Sequence, residues 1–353
     1  MTKQIKIIDL FAGVGGIRLG FEQAAHGLGV DAKCVYTSEI DKYACSTYTK
    51  NYPNDLHDPM SDITKVDEKA LNDFNVLLAG FPCQAFSIAG RKGGFEDTRG
   101  TLFFDVARII KEKTPDAFLL ENVKGLVNHK GGKTLNTILN VLKNDLGYKS
   151  TRFKVLNAKH YGVPQNRERV YIVGFKNNGG GFEFPNSNIC NSCIEDILEE
   201  NEVSPRYYVS ETSLKGMKAH KERHKSKGNG FGYEIKSFDG IANAIVVGGM
   251  GKERNMLIDE RLTDFTPVTN INGIINKEYV RKMTPKEWER LQGFPDNWTE
   301  GVSNAQRYKQ MGNSVAVPVI SKISESIIRE LMNPKTFAKK IDPQLLMSFN
   351  DKE

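Results

Sequence analysis

Cysteine is scarce in this sequence. Five cysteines are scattered along 353 residues, and so few in an odd number exclude a disulfide scaffold. Cys190 and Cys193 form one C-x-x-C pair, but no second cysteine pair and no histidine pair at zinc-finger spacing accompanies it. We therefore expect no metal site and a reducing compartment.

Long apolar runs are missing as well. No stretch approaches the roughly 18 apolar residues that a membrane helix needs, which excludes a spanning helix. Residues 1–10 lack the charged and then apolar pattern of a secretion signal. These features predict a cytoplasmic protein without a membrane partner.

Positive charge is in only slight excess. Lysine and arginine number 49 against 43 acidic residues, a net charge of +6, which permits a nucleic-acid partner without requiring one. Residues 215–227 hold six lysines and arginines but one acid, Glu222. Such a cluster is most often a solvated face, although the Gly-rich, aromatic sequence after it also suits DNA binding.

The first half of the chain alternates two hydrophobic periodicities. Short β-branched or apolar runs alternate with helical patterns, which favours an α/β fold with a largely parallel sheet covered on both faces. The alternation stops near residue 176, turn-rich sequence follows, and helical patterning returns from residue 284. The predicted strands are 5–10, 32–38, 75–79, 117–120 and 169–175, and the predicted helices are 17–25, 42–51, 102–113, 134–146 and 316–331.

A glycine turn between the first strand and helix suits a nucleoside cofactor. Glycines at 13–16 would let the backbone approach a ligand closely. Arg18 stands where the dinucleotide fingerprint has a third glycine, so the match to that fingerprint is incomplete. Glu39 could accept hydrogen bonds from ribose hydroxyls and Asp62 from an adenine amino group. A tight turn with helix caps is the alternative interpretation.

Reactive side chains follow two of the predicted strands. Cys83, after Pro82, lies just past a strand end, where open α/β sheets bind ligands, although its thiol would need activation to act as a nucleophile. Glu121 follows a buried strand, where partial desolvation would favour a protonated carboxyl group that can donate its proton. Arg167 and Arg169 offer planar guanidiniums for carbonyl or phosphate oxygens. Structural ion pairs are the alternative for these charged groups.

In identity, order and spacing, a series of motifs resembles the DNA (cytosine-5) methyltransferases. The resemblance extends from about residue 5 to 331. The motifs are Asp9-Leu10-Phe11-Ala12-Gly13-Val14-Gly15-Gly16, Pro82-Cys83-Gln84, Glu121-Asn122-Val123, Gln165-Asn166-Arg167-Glu168-Arg169 and Gly312-Asn313-Ser314-Val315.

The resemblance implies a class I methyltransferase fold that binds S-adenosylmethionine, with a smaller target-recognition domain and a cleft for double-stranded DNA. The implied division is 1–190 with 280–335 as the catalytic domain, 191–279 as the recognition domain and 336–353 as a tail. The implied cofactor residues are Phe11, Gly13, Gly15, Glu39, Asp62, Ile63, Pro82, Asn313 and Ser314.

The same resemblance implies the chemistry. Cys83 would attack C6 of a cytosine flipped out of the duplex, and Glu121 would hold and protonate N3. Arg169, with Arg167, would contact the base and the loop carrying Cys83. Residues 84–99 would form a mobile loop that closes over DNA. The base that removes the C5 proton is not assigned.

The recognition segment allows a narrower interpretation. Residues 220–233 and 241–255 resemble the bacterial HpaII-type enzymes that methylate CCGG. This likeness implies the inner cytosine as target, and that specificity with a compact size fits a restriction–modification pair. We therefore expect a companion restriction endonuclease that acts on the same site without direct contact, and a monomer. The residues expected to contact DNA are Gln84, Ser87, Lys227, Lys252 and Arg254.

Three other functions compete with this interpretation. A catalytically silent DNA-binding module would keep the fold, but Cys83, Glu121 and Arg169 are all present. A tRNA cytosine methyltransferase would use the same domain, although the long, basic recognition segment favours duplex DNA. An NAD oxidoreductase is disfavoured by Arg18 and by the cysteine motif.

Overall fold

The computed structural model describes most of the chain. The described residues are 4–82, 101–177, 179–187, 191–230, 232–248, 251–266 and 273–333. The predicted roles of Cys83, Gln84 and Ser87, and the predicted loop 84–99, lie outside these residues, as does the predicted tail 336–353.

The chain divides into two compact units. The first comprises Met1–Leu156, Arg169–Asn186 and Val319–Glu353, and the second Asn157–Glu168 and Ser187–Pro318. The predicted division instead places 280–335 with the catalytic domain. Contacts within the second unit explain the difference. The antiparallel pair β9 (Met256–Ile258) and β10 (Val280–Lys282) ties the later segment to the earlier one. The functional boundaries stay a prediction.

A six-stranded sheet forms the centre of the first unit. Its strands are β1 (Gln4–Leu10), β2 (Asp31–Ser38), β3 (Val76–Ala79), β4 (Ala117–Val123), β5 (Arg152–Asn157) and β7 (Glu168–Phe175), in the order β2-β1-β3-β4-β7-β5. The pairs among β1 to β4 are parallel, whereas β7 runs antiparallel to β4. The predicted α/β fold with a mostly parallel sheet is confirmed.

The predicted helices of the first unit lie close to their predicted positions. They are α1 (Gly16–Gly27), α2 (Lys42–Asn51), α3 (Leu102–Lys113), α5 (Lys133–Asn140) and most of α9 (Val317–Met332). The short helix α4 (Gly125–Asn128) was not predicted. Asp41 caps α2 by accepting from the backbone N–H groups of Tyr43 and Ala44. The helix predicted over 134–146 ends as an α-helix at Asn140 and continues as a π-helical turn, Val141–Asp145.

Burial explains which strands the sequence analysis found. β3 and the first six residues of β4 are buried on both faces, and their apolar runs pack against α3 in one core. The missed β5 is largely exposed, so it has no apolar run to distinguish it. The antiparallel strand β7 is as apolar as the parallel strands of the sheet. Hydrophobicity alone therefore does not reveal the direction of a strand.

The second unit has little regular β-structure among its described residues. Its helices are α6 (Glu211–Lys225), α7 (Pro285–Leu291) and α8 (Asn304–Asn313), and a second short pair joins β6 (Gln165–Asn166) to β8 (Ala242–Asn243) in parallel. The fully buried Arg281 guanidinium bonds Asp259 at 2.7 Å and Glu287 at 2.8 Å. This charge cluster supplements the small apolar clusters of the unit.

The described residues contain neither a membrane-spanning helix nor a group of metal ligands. None of the described helices is long and apolar enough to cross a membrane. Within the same residues, no group of three or more histidine, cysteine, aspartate or glutamate side chains is placed to hold a metal ion.

Candidate active site and cofactor-binding residues

The glycine turn between β1 and α1 has the backbone conformation that its sequence predicts. Gly13 and Gly15 have φ of +56° and +83°, in the left-handed region that favours glycine. A Cβ atom on Gly15 would lie 2.5 Å from the Cε2 atom of Tyr52. The Tyr52 hydroxyl donates to the Gly15 carbonyl at 3.1 Å. Both conformation and space therefore require glycine at position 15.

Gly15→Ala is expected to weaken the binding of S-adenosylmethionine, the cofactor that the resemblance implies, by at least about tenfold, because Tyr52 must shift and the turn with it. The backbone strain should also destabilise the protein by roughly 1–3 kcal/mol. Isothermal titration and thermal unfolding would measure the two effects. Gly27→Ala is the control, since its Cβ would meet nothing within 4 Å. Equal cofactor affinity of both variants would contradict the assignment of this turn.

Glu39 is held at the end of β2 by backbone N–H groups. Its Oε2 atom accepts from Gly13 at 2.8 Å, and its Oε1 atom accepts from Ile40 and Asp41, each at 2.8 Å. The carboxylate thus links the second strand to the glycine turn. Oε1 already accepts two hydrogen bonds, but Oε2 can accept another beside that from Gly13, so the arrangement fits the predicted contact with ribose hydroxyls.

Asp62 caps a short 3-10 helix, as the alternative interpretation anticipated. Its Oδ1 atom accepts from the backbone N–H of Thr64 at 3.0 Å and from its hydroxyl at 2.7 Å. These hydrogen bonds hold the pKa of Asp62 below its ordinary value, so the group is an ionised acceptor at neutral pH. Ile63 beside it is buried. Capping leaves acceptor capacity on the carboxylate, and the adenine contact stays a prediction.

A buried polar network lies beneath the glycine turn. Arg18 donates to Asp55 and to the Tyr48 hydroxyl, and its guanidinium lies 3.6 Å from the Tyr52 ring centroid. The ring that limits space at Gly15 is therefore itself braced by Arg18. This gives Arg18 a structural role at the position where the dinucleotide fingerprint has glycine.

Asp9 is an unusual buried acid at the end of β1. It is fully buried, and neither carboxyl oxygen has a hydrogen-bond partner among the described residues. Burial raises its pKa to about 8. Unpartnered buried polar atoms are costly unless a ligand or water satisfies them. Protonation, which the raised pKa favours, reduces the cost of burying this carboxyl group.

At the carboxyl ends of β3 and β4, the described residues that precede Cys83 lie beside the Glu121-Asn122 motif. Asn122 donates to the Phe81 carbonyl at 2.7 Å, which fixes the backbone just before Pro82. A Cβ atom on Gly80 would lie 3.6 Å from Glu121 Oε2. The segment that leads to Cys83 therefore leaves the sheet beside the Glu121 carboxylate. Sequence analysis missed the anchoring role of Asn122.

Glu121 and Arg169 form an ion pair on neighbouring strands. The Nε atom of Arg169 lies 3.2 Å from Glu121 Oε1, and the two side chains are 15% and 11% exposed. Arg169 is opposite Val123 in the antiparallel pair, which puts it diagonal to Glu121 on one face of the sheet. Two of the predicted catalytic residues thus meet, and the guanidinium orients the carboxylate.

Arg167 has different partners. Its guanidinium, buried within the second unit, donates to the carbonyls of Ile245 at 2.7 Å and Gly312 at 3.2 Å, and also to that of Ser314. These bonds hold the turn that carries the predicted cofactor residues Asn313 and Ser314. The predicted contact of Arg167 with the base stays a prediction.

The predicted DNA-contacting residues of the second unit differ in their surroundings. Lys227 is exposed just after α6. Lys252 lies with its ammonium 4.2 Å from the Tyr308 ring centroid, and partial burial lowers its pKa. Arg254 pairs with Glu234, with Nε and Nη2 each 3.3 Å from Oε1.

Helix α6 carries most of the basic cluster that the sequence showed. Leu214 is its one buried residue, so its remaining side chains are available to solvent to different degrees. Lys218 on this helix pairs with Glu278 at 2.5 Å. The cluster is therefore an exposed helical face, and one of its lysines is partly neutralised.

Comparison with known proteins gives concordant matches along nearly the whole chain. The model of the C-5 cytosine-specific DNA methylase family matches residues 5–329. The chain is 56% identical over 337 residues to the type II methyltransferase M.HpaII of Haemophilus parainfluenzae, covering 94% of this chain and 92% of that protein. It is 45% identical over 322 residues to the type II methyltransferase M.NlaX of Neisseria lactamica, covering 91% and 96%.

Solved structures agree on the fold. The methyltransferase EhMeth of Entamoeba histolytica superposes with a TM-score of 0.69 at 20% identity, covering 94% of this chain and 100% of that one. The Dnmt2 methyltransferase of S. pombe gives a TM-score of 0.68 at 19% identity, again with 94% and 100% coverage. At such identities the likeness concerns the fold alone.

Proposed function

Because the chain belongs to the C-5 cytosine-specific DNA methylase family, it is a DNA (cytosine-5)-methyltransferase that uses S-adenosylmethionine, and we propose that it methylates the inner cytosine of CCGG. The family concerns DNA and methyl transfer, so the alternatives of a silent module, a tRNA methyltransferase and an oxidoreductase are set aside.

The proposed reaction uses a cysteine and a carboxyl group on one flipped cytosine. A base inside the duplex stack is out of reach, so the target cytosine must turn out into the site. The Cys83 thiolate adds to C6 while the Glu121 carboxyl group gives a proton to N3, and C5 becomes nucleophilic. S-adenosylmethionine supplies the methyl group that C5 accepts. A base whose identity is not assigned, or water, then takes the C5 proton and the thiolate leaves C6. N3 returns its proton to the Glu121 carboxylate, and the aromatic ring is restored.

One observation carries this proposal: the Glu121–Arg169 pair lies beside the strand end that leads to Pro82 and Cys83. The pair supports a positioned proton donor, because Arg169 fixes one carboxyl oxygen at 3.2 Å.

The cofactor site is proposed on the residues that the motifs indicate. Glu39 would bind the ribose hydroxyls and Asp62 would bind the adenine amino group. The glycine turn would let the polypeptide backbone approach the cofactor closely. The remaining proposed contacts are Phe11, Ile63, Pro82, Asn313 and Ser314.

The CCGG target is supported by the likeness to M.HpaII and by the chemistry of the recognition segment. Each guanine offers O6 and N7 in the major groove, which an arginine or lysine can read for ~1–3 kcal/mol per bidentate contact. Arg254, Lys227 and Lys252 are the proposed readers. Lys215 and Lys221 on α6 suit phosphates instead.

Plasmid DNA from cells expressing the protein is expected to be protected at CCGG sites. Digestion with endonucleases that differ in their sensitivity to inner and outer methylation would test the position, and bisulfite sequencing should show only the inner cytosine unconverted. Plasmid from cells expressing Cys83→Ala is the control and should be cut fully.

Protection at GCGC, at GGCC or at every CG would contradict the CCGG assignment. Such a result would leave the cytosine-5 methyltransferase assignment unchanged, because that rests on the family and the catalytic motifs.

The cellular role is proposed as modification within a restriction system. A companion endonuclease would cut the same site without binding this protein, and the enzyme would act as a cytoplasmic monomer on each DNA strand. If so, cells expressing it should survive a CCGG-cutting endonuclease that kills cells without it.

A further inference from the structure

Glu234 is the centre of a polar cluster in the second unit that sequence analysis did not find. Its Oε2 atom accepts from Lys236 at 2.7 Å and from Asn243 at 2.8 Å, while Oε1 accepts from Nε and Nη2 of Arg254. Three donors on three separate segments thus converge on one carboxylate. Such convergence fixes the direction in which each partner points.

The backbone beneath this cluster is tightly connected. The N–H of Glu234 donates to the Glu253 carbonyl at 2.9 Å, and the Met256 N–H donates to the Glu234 carbonyl at 2.9 Å. Asn255, fully buried, exchanges hydrogen bonds with the backbone of Asn243 at 2.8 and 3.2 Å. The carboxylate and the guanidinium are therefore presented by neighbouring, mutually bonded segments.

The ion pair leaves one end of the guanidinium available. Glu234 occupies the side of Arg254 formed by Nε and Nη2, so the two N–H bonds of Nη1 and one N–H bond of Nη2 remain for another partner. The Arg254 side chain is 52% exposed, against 33% for Glu234. Bidentate reading of guanine needs two parallel N–H donors, and the Nη1–Nη2 end provides them.

Glu234 stays ionised in this setting. Partial burial would raise the pKa of its carboxyl group, but the hydrogen bonds from Lys236 and Asn243 and the nearby charges outweigh that effect and lower the pKa. A charged acceptor therefore faces Arg254 throughout the neutral pH range.

We propose that Glu234 is a specificity-determining positioning residue, which holds the Arg254 guanidinium so that its Nη1–Nη2 end reads O6 and N7 of one guanine of the target site. The inference rests on the proposed function, in which Arg254 reads a base of CCGG. A flexible arginine would lose side-chain entropy on contact with the base, and a preorganised one loses less. Glu234 would thus act on discrimination through Arg254 without contacting DNA.

The test uses duplexes in which one guanine of CCGG at a time is 7-deazaguanine, which lacks the N7 acceptor. The inner cytosine of one strand is already methylated in each duplex, so the other strand carries the one target cytosine. The two strands are then no longer equivalent, and the effect of each guanine can be measured separately. For the wild-type enzyme, kcat/KM should fall about five- to tenfold at the guanine that Arg254 reads, since half of a bidentate contact is removed. Arg254→Ala should abolish this penalty, because alanine has no donor for N7.

Glu234→Gln keeps the shape but removes the charge, and it should reduce the 7-deazaguanine penalty to about twofold or less at that same guanine. Glu234→Asp is the second variant: it keeps the charge but is one methylene too short, and it should have the same effect. Glu260→Gln, which removes an exposed carboxylate from the same unit, is the control and should keep the wild-type penalty. A purely structural role of Glu234 would alter stability or overall rate but not this ratio.

The outcomes separate the inference from its premise. If Arg254→Ala loses the penalty but both Glu234 variants retain it, Arg254 reads guanine unaided and the inference is wrong. If Arg254→Ala also retains it, Arg254 is not a reader, and the inference falls with that part of the proposed function. CCGG methylation measured on the unmodified duplex decides independently whether the proposed target is right.

Discussion

Cys83→Ala is expected to abolish methyl transfer, lowering the rate by at least about 10⁴-fold, the order of loss seen when a catalytic nucleophile is removed. Without the thiolate, C5 of cytosine is not activated, so the remaining contacts hold the substrate without reaction. Transfer of tritiated methyl groups to DNA would measure turnover. Cofactor titration and thermal unfolding should match the wild type.

Cys193→Ala is the matched control and should retain turnover. The two buried cysteines offer no alternative nucleophile, because burial raises the pKa of Cys34 to about 11 and that of Cys45 to about 12. Wild-type turnover in Cys83→Ala would require covalent catalysis through this residue to be abandoned.

Glu121→Gln is expected to lower the methylation rate by about 10²–10⁴-fold, the usual contribution of a positioned proton donor. Glutamine keeps the size and can still hydrogen-bond Arg169, but it has no carboxyl proton to deliver to N3. Single-turnover methylation would measure the chemical step, and equilibrium titration with a CCGG duplex would measure DNA affinity, which should change by only a few-fold.

Glu183→Gln removes an exposed carboxylate from the same unit and should leave both quantities unchanged. Losses of equal size in rate and affinity for Glu121→Gln would mean that Glu121 binds the base without protonating it.

Much of the first unit could be predicted from the sequence, because its strands and helices follow hydrophobic periodicity. The helix 102–113 and the parallel strands through 117–120 depend on local pattern, and the structure confirms them. Exposed β5 and the direction of β7 depend on pairing across the chain, which a local pattern does not carry.

In the candidate site, too, local motifs were predictable from the sequence, whereas contacts between distant residues were not. Motif order was sufficient to select Glu121, Arg169 and the glycine turn, and the structure places the first two in contact. The supporting contacts were missed because their partners are distant in sequence. Asn122 bonds a carbonyl 41 residues away, and Glu234 bonds an arginine 20 residues away. Roles that depend on Cys83, Gln84 and Ser87 stay predictions.

The segment Asn157–Glu168 has a consequence for engineering new target specificity by exchange of domains. Although it precedes the recognition region by sequence, it belongs to the second unit. Its β6 pairs with β8, Gln165 donates to the Leu291 carbonyl at 2.9 Å, and Arg167 bonds three backbone carbonyls beyond residue 240. A chimaera that transplants only the contiguous stretch 187–318 would make Gln165, Arg167 and β6 of one protein pack against backbone from another. We therefore expect the exchangeable module to be discontinuous, and a graft that carries 157–168 from the same donor to keep more activity than one without it.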